Sequence, residues 1–278
     1  MRAFAAVAVV VAALVVPSLC AANPAPSMVG PTGLITVPDT QTVGASAVDV
    51  GVHFFSEETF SELMIERQYP EPFDLDTRIW HANIGLCDKV EISVAMSVVE
   101  GGGMDLEDTT FGVKWAPLQE PDDCVGLALG VYNAGAEQKD TSGITAFIPD
   151  SQDGAIWYGV LSKSITNMKE GKRPIRILAG IELADDAWGP GYIKARALGG
   201  IHSVTKGDYG DECPNFFMGL DADLADWVSI IADTNEFDDF NFGARVNVTP
   251  ELSIDLIGLD FWGRDNRFAA GAGYHCTW

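Results

Sequence analysis

The chain has 278 residues, 47% of them apolar, with 29 glycines, 40 acidic against 17 basic side chains and a net charge of −23. An acid excess without basic clusters excludes nucleic acid as a partner, because phosphate binding needs lysines and arginines grouped together. The apolar share excludes a disordered chain, and the length fits one large β domain better than two small ones.

Met1 to Ala22 holds one charge, Arg2, then an apolar run from Ala3 to Val16, a break at Pro17 and the small residues Cys20, Ala21 and Ala22. This pattern predicts a secretory signal peptide cleaved after Ala22. Leu19 argues against lipidation at Cys20, which needs a small residue before it. No later stretch offers about 18 consecutive apolar residues, so the exported chain reads as either soluble or a β-barrel.

Residues 23–43 read as an N-terminal loop segment containing G-P-T-G-L-I-T-V-P-D-T, Gly30 to Thr40. Its glycines permit unusual backbone angles and its prolines oppose helix. Gly30, Gly33, Leu34, Ile35 and Pro38 resemble the opening motif of YjbH-like outer-membrane barrels, a family associated with exopolysaccharide export. Asp39 departs from the small hydroxyl residue expected after the proline. The resemblance implies a barrel following the motif and a role in passage or organisation of exopolysaccharide at the cell surface. This chain is short beside the long members of that family, which carry more than one such unit.

Alternating apolar residues then predict a first strand over Ala45 to Phe55. Ser56 to Gln68 reads as a short helix capped by Ser56, with Glu57 and Glu58 at its N-terminus. Arg78 to Leu86 and Val90 to Val98 form a hairpin about Cys87-Asp88-Lys89. Further alternating runs cover 109–115, 125–131, 156–160, 175–183, 193–201, 216–224, 228–234, 240–248 and 252–258. The last run, Phe268 to Trp278, places Tyr274, Cys276 and Trp278 on one apolar face and resembles the closing strand of outer-membrane barrels. That resemblance implies that barrel-assembly machinery reads these three residues. The runs number thirteen, whereas bacterial barrels carry an even number of strands. One run between 156 and 201 is therefore a loop, giving 12 strands, or the weak run Gly143 to Pro149 is real, giving 14.

The fold class expected is an all-β, antiparallel transmembrane barrel over residues 44–278 in the bacterial outer membrane, surrounded by lipid. A soluble sandwich competes. It is disfavoured because nearly every run has one apolar face free of charge. On the barrel reading the opposite faces line a lumen, and its candidate residues are His81, Asn83, Glu91, Ser93, Lys114, Lys163, Arg176, Glu182, Asp221, Asp223, Arg245, Asn247, Asp255 and His275. Charges of both signs suit a porin-like pore for polar or saccharide solutes. The alternative is a non-conducting structural or adhesive barrel, filled by its own side chains or by residues 23–43 folded inward.

Enzymatic chemistry is not expected. His53, His81, His202 and His275 lie on predicted strands without a partner motif, and His202 and Ser203 point to opposite faces of one strand. Asp233, Asn235, Glu236, Asp238 and Asp239 lack the glycine and the terminal glutamate of a calcium loop and read as an acidic hairpin tip. No metal or other cofactor is implied, and no zinc spacing exists among Cys87, Cys124, Cys213 and Cys276. Two strands separate Cys87 from Cys124, about 14 Å at the interstrand spacing, so no framework of disulfides is expected. Trp188 and Tyr192 could stack on a sugar or sit at a membrane interface.

Overall fold

In the computed structural model the described residues are 25–28, 30–59, 73–101, 104–120, 125–134, 139–140, 155–165, 175–184, 215–235, 239–259 and 267–278. Their β-strands are β1 (Ala47–Thr59), β2 (Phe73–Cys87), β3 (Val90–Gly101), β4 (Met104–Leu118), β5 (Gly126–Ala134), the two-residue β6 (Lys139–Asp140) and β7 (Ile156–Ser164). They continue as β8 (Ile175–Ala184), β9 (Asn215–Ala225), β10 (Val228–Asn235), β11 (Asp239–Asn247), β12 (Leu252–Leu259) and β13 (Arg267–Thr277).

Each long strand pairs antiparallel with its neighbours in sequence, β5 pairing with β7, and β1 pairs with β13 over Ala47↔Thr277 to Phe55↔Ala269. The ladders form a closed ring of 12 strands, while β6 adds only Leu106↔Asp140 and Glu107↔Lys139 against β4. Closure leaves no strand edge in the wall, the condition for placing a sheet in hydrocarbon. The Trp278 amide donates to the Ser46 carbonyl at 3.0 Å, extending the seam past the last ladder pair.

The pleat sorts side chains as the alternation predicts, and the sorting is inside out. Val50, Phe54, Trp80, Phe111, Trp115, Trp157, Phe216 and Phe268 are exposed on the outer wall, whereas Asp49, His81, Glu91, Lys114 and Arg245 are buried within it. In water such an apolar belt would far exceed the few hundred Å² that a monomeric soluble protein leaves uncovered. Strands of 8–15 residues are long enough to cross a bilayer when tilted. The all-β transmembrane barrel is therefore the architecture, and the sandwich is excluded by ring closure. Both ends of the ring's chain, Ala47 and Thr277, lie at the end that also carries the short turns after β2, β9 and β11.

Two local expectations are corrected. Ser56 to Thr59 belong to β1, paired with Asp76 to Phe73, so the helix expected from Ser56 does not begin there. The ladder hydrogen bonds of a long hairpin outweigh the weak capping signal; residues 60–68 lie outside the described set. Asp233 is not at a hairpin tip but inside β10, buried and facing inward. The run 193–201 and the weak run 143–149 lie outside the described residues, as do His202, Trp188 and Tyr192. Cys87 and Cys276 are free thiols, and Cys124 and Cys213 lie outside the described set.

Candidate functional site

The lumen contains part of the chain itself. Residues 25–28 and 30–43 precede β1, and nearly all are buried although none belongs to a long strand. The motif found in sequence makes a compact knot there. The bridges Pro26↔Thr32 and Gly33↔Pro38 fold it back on itself, with Met28 N donating to Ile35 O at 2.8 Å and Leu34 N to Val37 O at 3.0 Å. Gly30 adopts φ 114, a backbone angle that side chains disfavour. A Cβ on Gly33 would collide with the Val37 carbonyl oxygen, so only glycine closes this loop.

The wall grips the knot through charged side chains that bond its backbone. Glu91 accepts from Thr32 N at 2.9 Å, Thr32 Oγ1 at 2.7 Å and Val43 N at 3.1 Å. Asp233 accepts from Ile35 N at 2.8 Å, Thr36 N at 2.7 Å and Thr36 Oγ1 at 3.1 Å, with Asn241 Nδ2 completing its set at 2.8 Å. Lys114 donates to Thr32 O at 2.7 Å, to Gln41 O at 2.5 Å and to Thr32 Oγ1. Arg176 pairs with Asp39 at 2.9 Å and with Asp221 of the wall at 3.1 Å. Arg245 holds Asp255 through two hydrogen bonds, Nε to Oδ1 at 2.9 Å and Nη2 to Oδ2 at 3.1 Å, and reaches Leu34 O at 3.4 Å. Thr40 Oγ1 and Ser162 Oγ lie 2.6 Å apart.

A second set of contacts is apolar. Met28, Leu34, Ile35 and Val37 join one cluster with Tyr132, Tyr158, Val160, Leu178, Phe217 and Ile231 of the wall. Burying four such side chains contributes about 1.5–3 kcal/mol each. A hydrogen bond exchanged for one to water contributes about 0.5–1.5 kcal/mol net, while a buried donor left unpaired costs about 1–3 kcal/mol. The apolar cluster and the hydrogen bonds therefore contribute comparably to docking, and the charged groups also fix the register in which the segment docks.

His81, Asn83, Glu91, Ser93, Lys114, Arg176, Glu182, Arg245, Asn247 and Asp255 are all buried on the inner face. Asp221, Asp223 and His275 share that face by register, opposite Arg176, Ser229 and Asp49. Lys163 is corrected: it is exposed and alternates with the buried Ser162, on the same outer face as Trp157 and Leu161. It lies one residue from the end of β7, where a long side chain can carry its ammonium to the interface. The residues missed in sequence are Asp39, Asp49, Thr32, Thr36, Thr40 and Asp233. The lumen also has an apolar sector, because Ile156, Tyr158, Val160, Leu178 and Phe217 face inward. The steady inward phase of aromatic and aliphatic residues in 156–160 was the available signal.

Outside the spanning strands, Glu120 accepts from Ser162 Oγ at 2.7 Å and from Ser164 N at 2.5 Å. Burial raises its pKa, but those hydrogen bonds and the nearby Arg176 outweigh burial and hold it below the ordinary glutamate value. Among the described residues no group of three or more His, Cys, Asp and Glu side chains could hold a metal ion.

No family model and no curated protein matches the chain. Among solved structures it is similar to the KdgM porin, with 7% identity and a TM-score of 0.47 over 82% of this chain and 98% of that one. It is similar to the COG4313 outer membrane channel from Pseudomonas putida F1, with 10% identity and a TM-score of 0.46 over 88% and 100%. Similarity to the NanC porin gives 11% identity and a TM-score of 0.43 over 83% and 99%. The fold itself is carried by the ring of ladders described above.

Proposed function

We propose that the protein is a porin-like channel of the bacterial outer membrane whose lumen is held shut by residues 25–43, and that displacement of this segment admits polar or saccharide solutes. The observation that carries the reading is the nature of the grip. Glu91, Lys114 and Asp233, all buried, spend their hydrogen bonds largely on backbone groups of a segment outside the barrel's ladders. Withdrawal of that segment would leave intact strands around a charged, hydratable wall, as a channel requires. A wall built only for stability would gain more from apolar filling, since buried charges return little net stability.

The signal-peptide pattern of residues 1–22 supports export, and the outer apolar belt supports lipid as the surroundings. Tyr274 and Cys276, on the outer face of β13, and Trp278, just past its end, are the proposed assembly signal. The finer assignment, to exopolysaccharide passage in the manner of the YjbH-like family, is supported by the motif Gly30, Gly33, Leu34, Ile35 and Pro38 making the gripped knot. A second reading, a permanently closed structural or adhesive barrel, is favoured by the apolar cluster around Leu34 and Val37. No enzymatic role is proposed. The two readings separate in planar bilayers: deleting residues 25–42 should convert a silent barrel into a conducting one. A deletion variant that folds and inserts yet never conducts would leave only the structural role.

A further inference from the structure

We propose that the opened lumen selects for cations, and that its solutes are neutral or amine-bearing saccharides rather than uronic-acid polymers. The inference rests on the channel reading and concerns the charge that the segment covers. The three buried cations of the inner wall each have a wall carboxylate beside them. Lys114 lies 3.9 Å from Glu91, Arg176 lies 3.1 Å from Asp221, and Arg245 lies 2.9 Å from Asp255. The segment's single carboxylate, Asp39, sits against Lys114 at 3.5 Å and Arg176 at 2.9 Å, and it leaves with the segment. What remains is three pairs that nearly cancel.

Beyond those pairs the wall holds acids. Asp233 is fully buried and bonded by amides of the segment, so displacement bares an anion that four donors had satisfied, three of them from the segment. Asp223 is bonded by Ser229 Oγ at 2.5 Å and forms no ion pair among the described residues. The three buried cations are also placed at one end. Arg176 is the second residue of β8, Arg245 is two residues from the end of β11 and Lys114 four from the end of β4, all at the short-turn end. Asp233 is two residues from the end of β10, at the opposite mouth. Arg267, the first residue of β13, lies at that mouth as well, so the cation preference rests on the carboxylates Asp223 and Asp233 beyond the three pairs, whose field a low-dielectric wall concentrates.

The test is a planar-bilayer measurement on the Gly33→Val variant, which breaks the knot without touching the wall, with the 25–42 deletion as a second route. Under a potassium chloride gradient near physiological ionic strength, the reversal potential should take the cation-selective sign, with potassium preferred over chloride by about threefold or more. Asp223→Asn with Asp233→Asn should bring that ratio down towards one. Glucosamine oligomers should block the current at concentrations where galacturonic-acid oligomers do not. Conductance that is non-selective or anion-selective overturns this proposal and leaves the channel reading standing. Folded, inserted variants that never conduct overturn both.

Discussion

Asp233→Ala offers the most informative perturbation of the plug. The carboxylate accepts two backbone amides of the segment, Ile35 N at 2.8 Å and Thr36 N at 2.7 Å, at a fully buried site. The variant leaves both amides facing a small cavity. At about 1–3 kcal/mol for each buried donor left unpaired, the gross cost is about 2–6 kcal/mol. Removing the desolvated carboxylate returns part of this, so a net loss of about 2–4 kcal/mol in docking is expected. That corresponds to an undocked population about 30- to 1000-fold larger, while the barrel ladders stay unchanged. Hydrogen exchange in detergent micelles or bilayers reads it directly. Amides across residues 30–38 should lose protection by that factor, and those of β2 and β12 should not. Retained protection at 30–38 would refute the claim that Asp233 anchors the segment, and equal loss in β2 and β12 would show that the segment is part of the barrel's own core.

Lys114→Met should release the segment too, because it leaves Glu91 buried without its cation and the Thr32 and Gln41 carbonyls without a donor; about 3–5 kcal/mol is expected, read by the same exchange profile. Lys163→Leu, on the outer face, should leave conductance and ion selectivity of an opened variant unchanged, and a clear change in either would return Lys163 to the lumen. For Glu120, the lowered native pKa means its hydrogen bonds to Ser162 and Ser164 stabilise the turn fully above the unfolded glutamate value. That contribution should fade as pH falls through the lower native value, so Ser164 protection should drop in acid for the wild type and be pH-independent in Glu120→Gln.

The strand pattern was legible because a barrel wall obeys the period of two on both faces at once, as β13 shows by alternating Phe268, Ala270 and Ala272 outward with Ala269 and Gly271 inward. Lys163 shows that charge alone does not mark the lumen, since the pleat places Tyr158 and Val160 inside and the lysine outside. Asp233 was misplaced for the same reason: an acid near other acids reads as a solvated tip unless its phase along β10 is followed. The contacts of residues 25–43 were not legible, since Thr32 meets Glu91 across 59 positions and Thr36 meets Asp233 across 197. Pairings of that separation depend on the closed ring, which brings every strand's inner face to one axis.

On the proposed reading a displaceable segment closes the lumen. That reading is tested most directly by a lock. Thr40→Cys with Ser162→Cys replaces two hydroxyls 2.6 Å apart, one on the segment and one on the wall. It should be built into the Asp233→Ala background with Cys87, Cys124, Cys213 and Cys276 changed to serine. Single-channel recording of the one protein, oxidised and then reduced, should show silence followed by openings. Openings of equal frequency in both states, or silence in both from a folded and inserted barrel, would contradict the account.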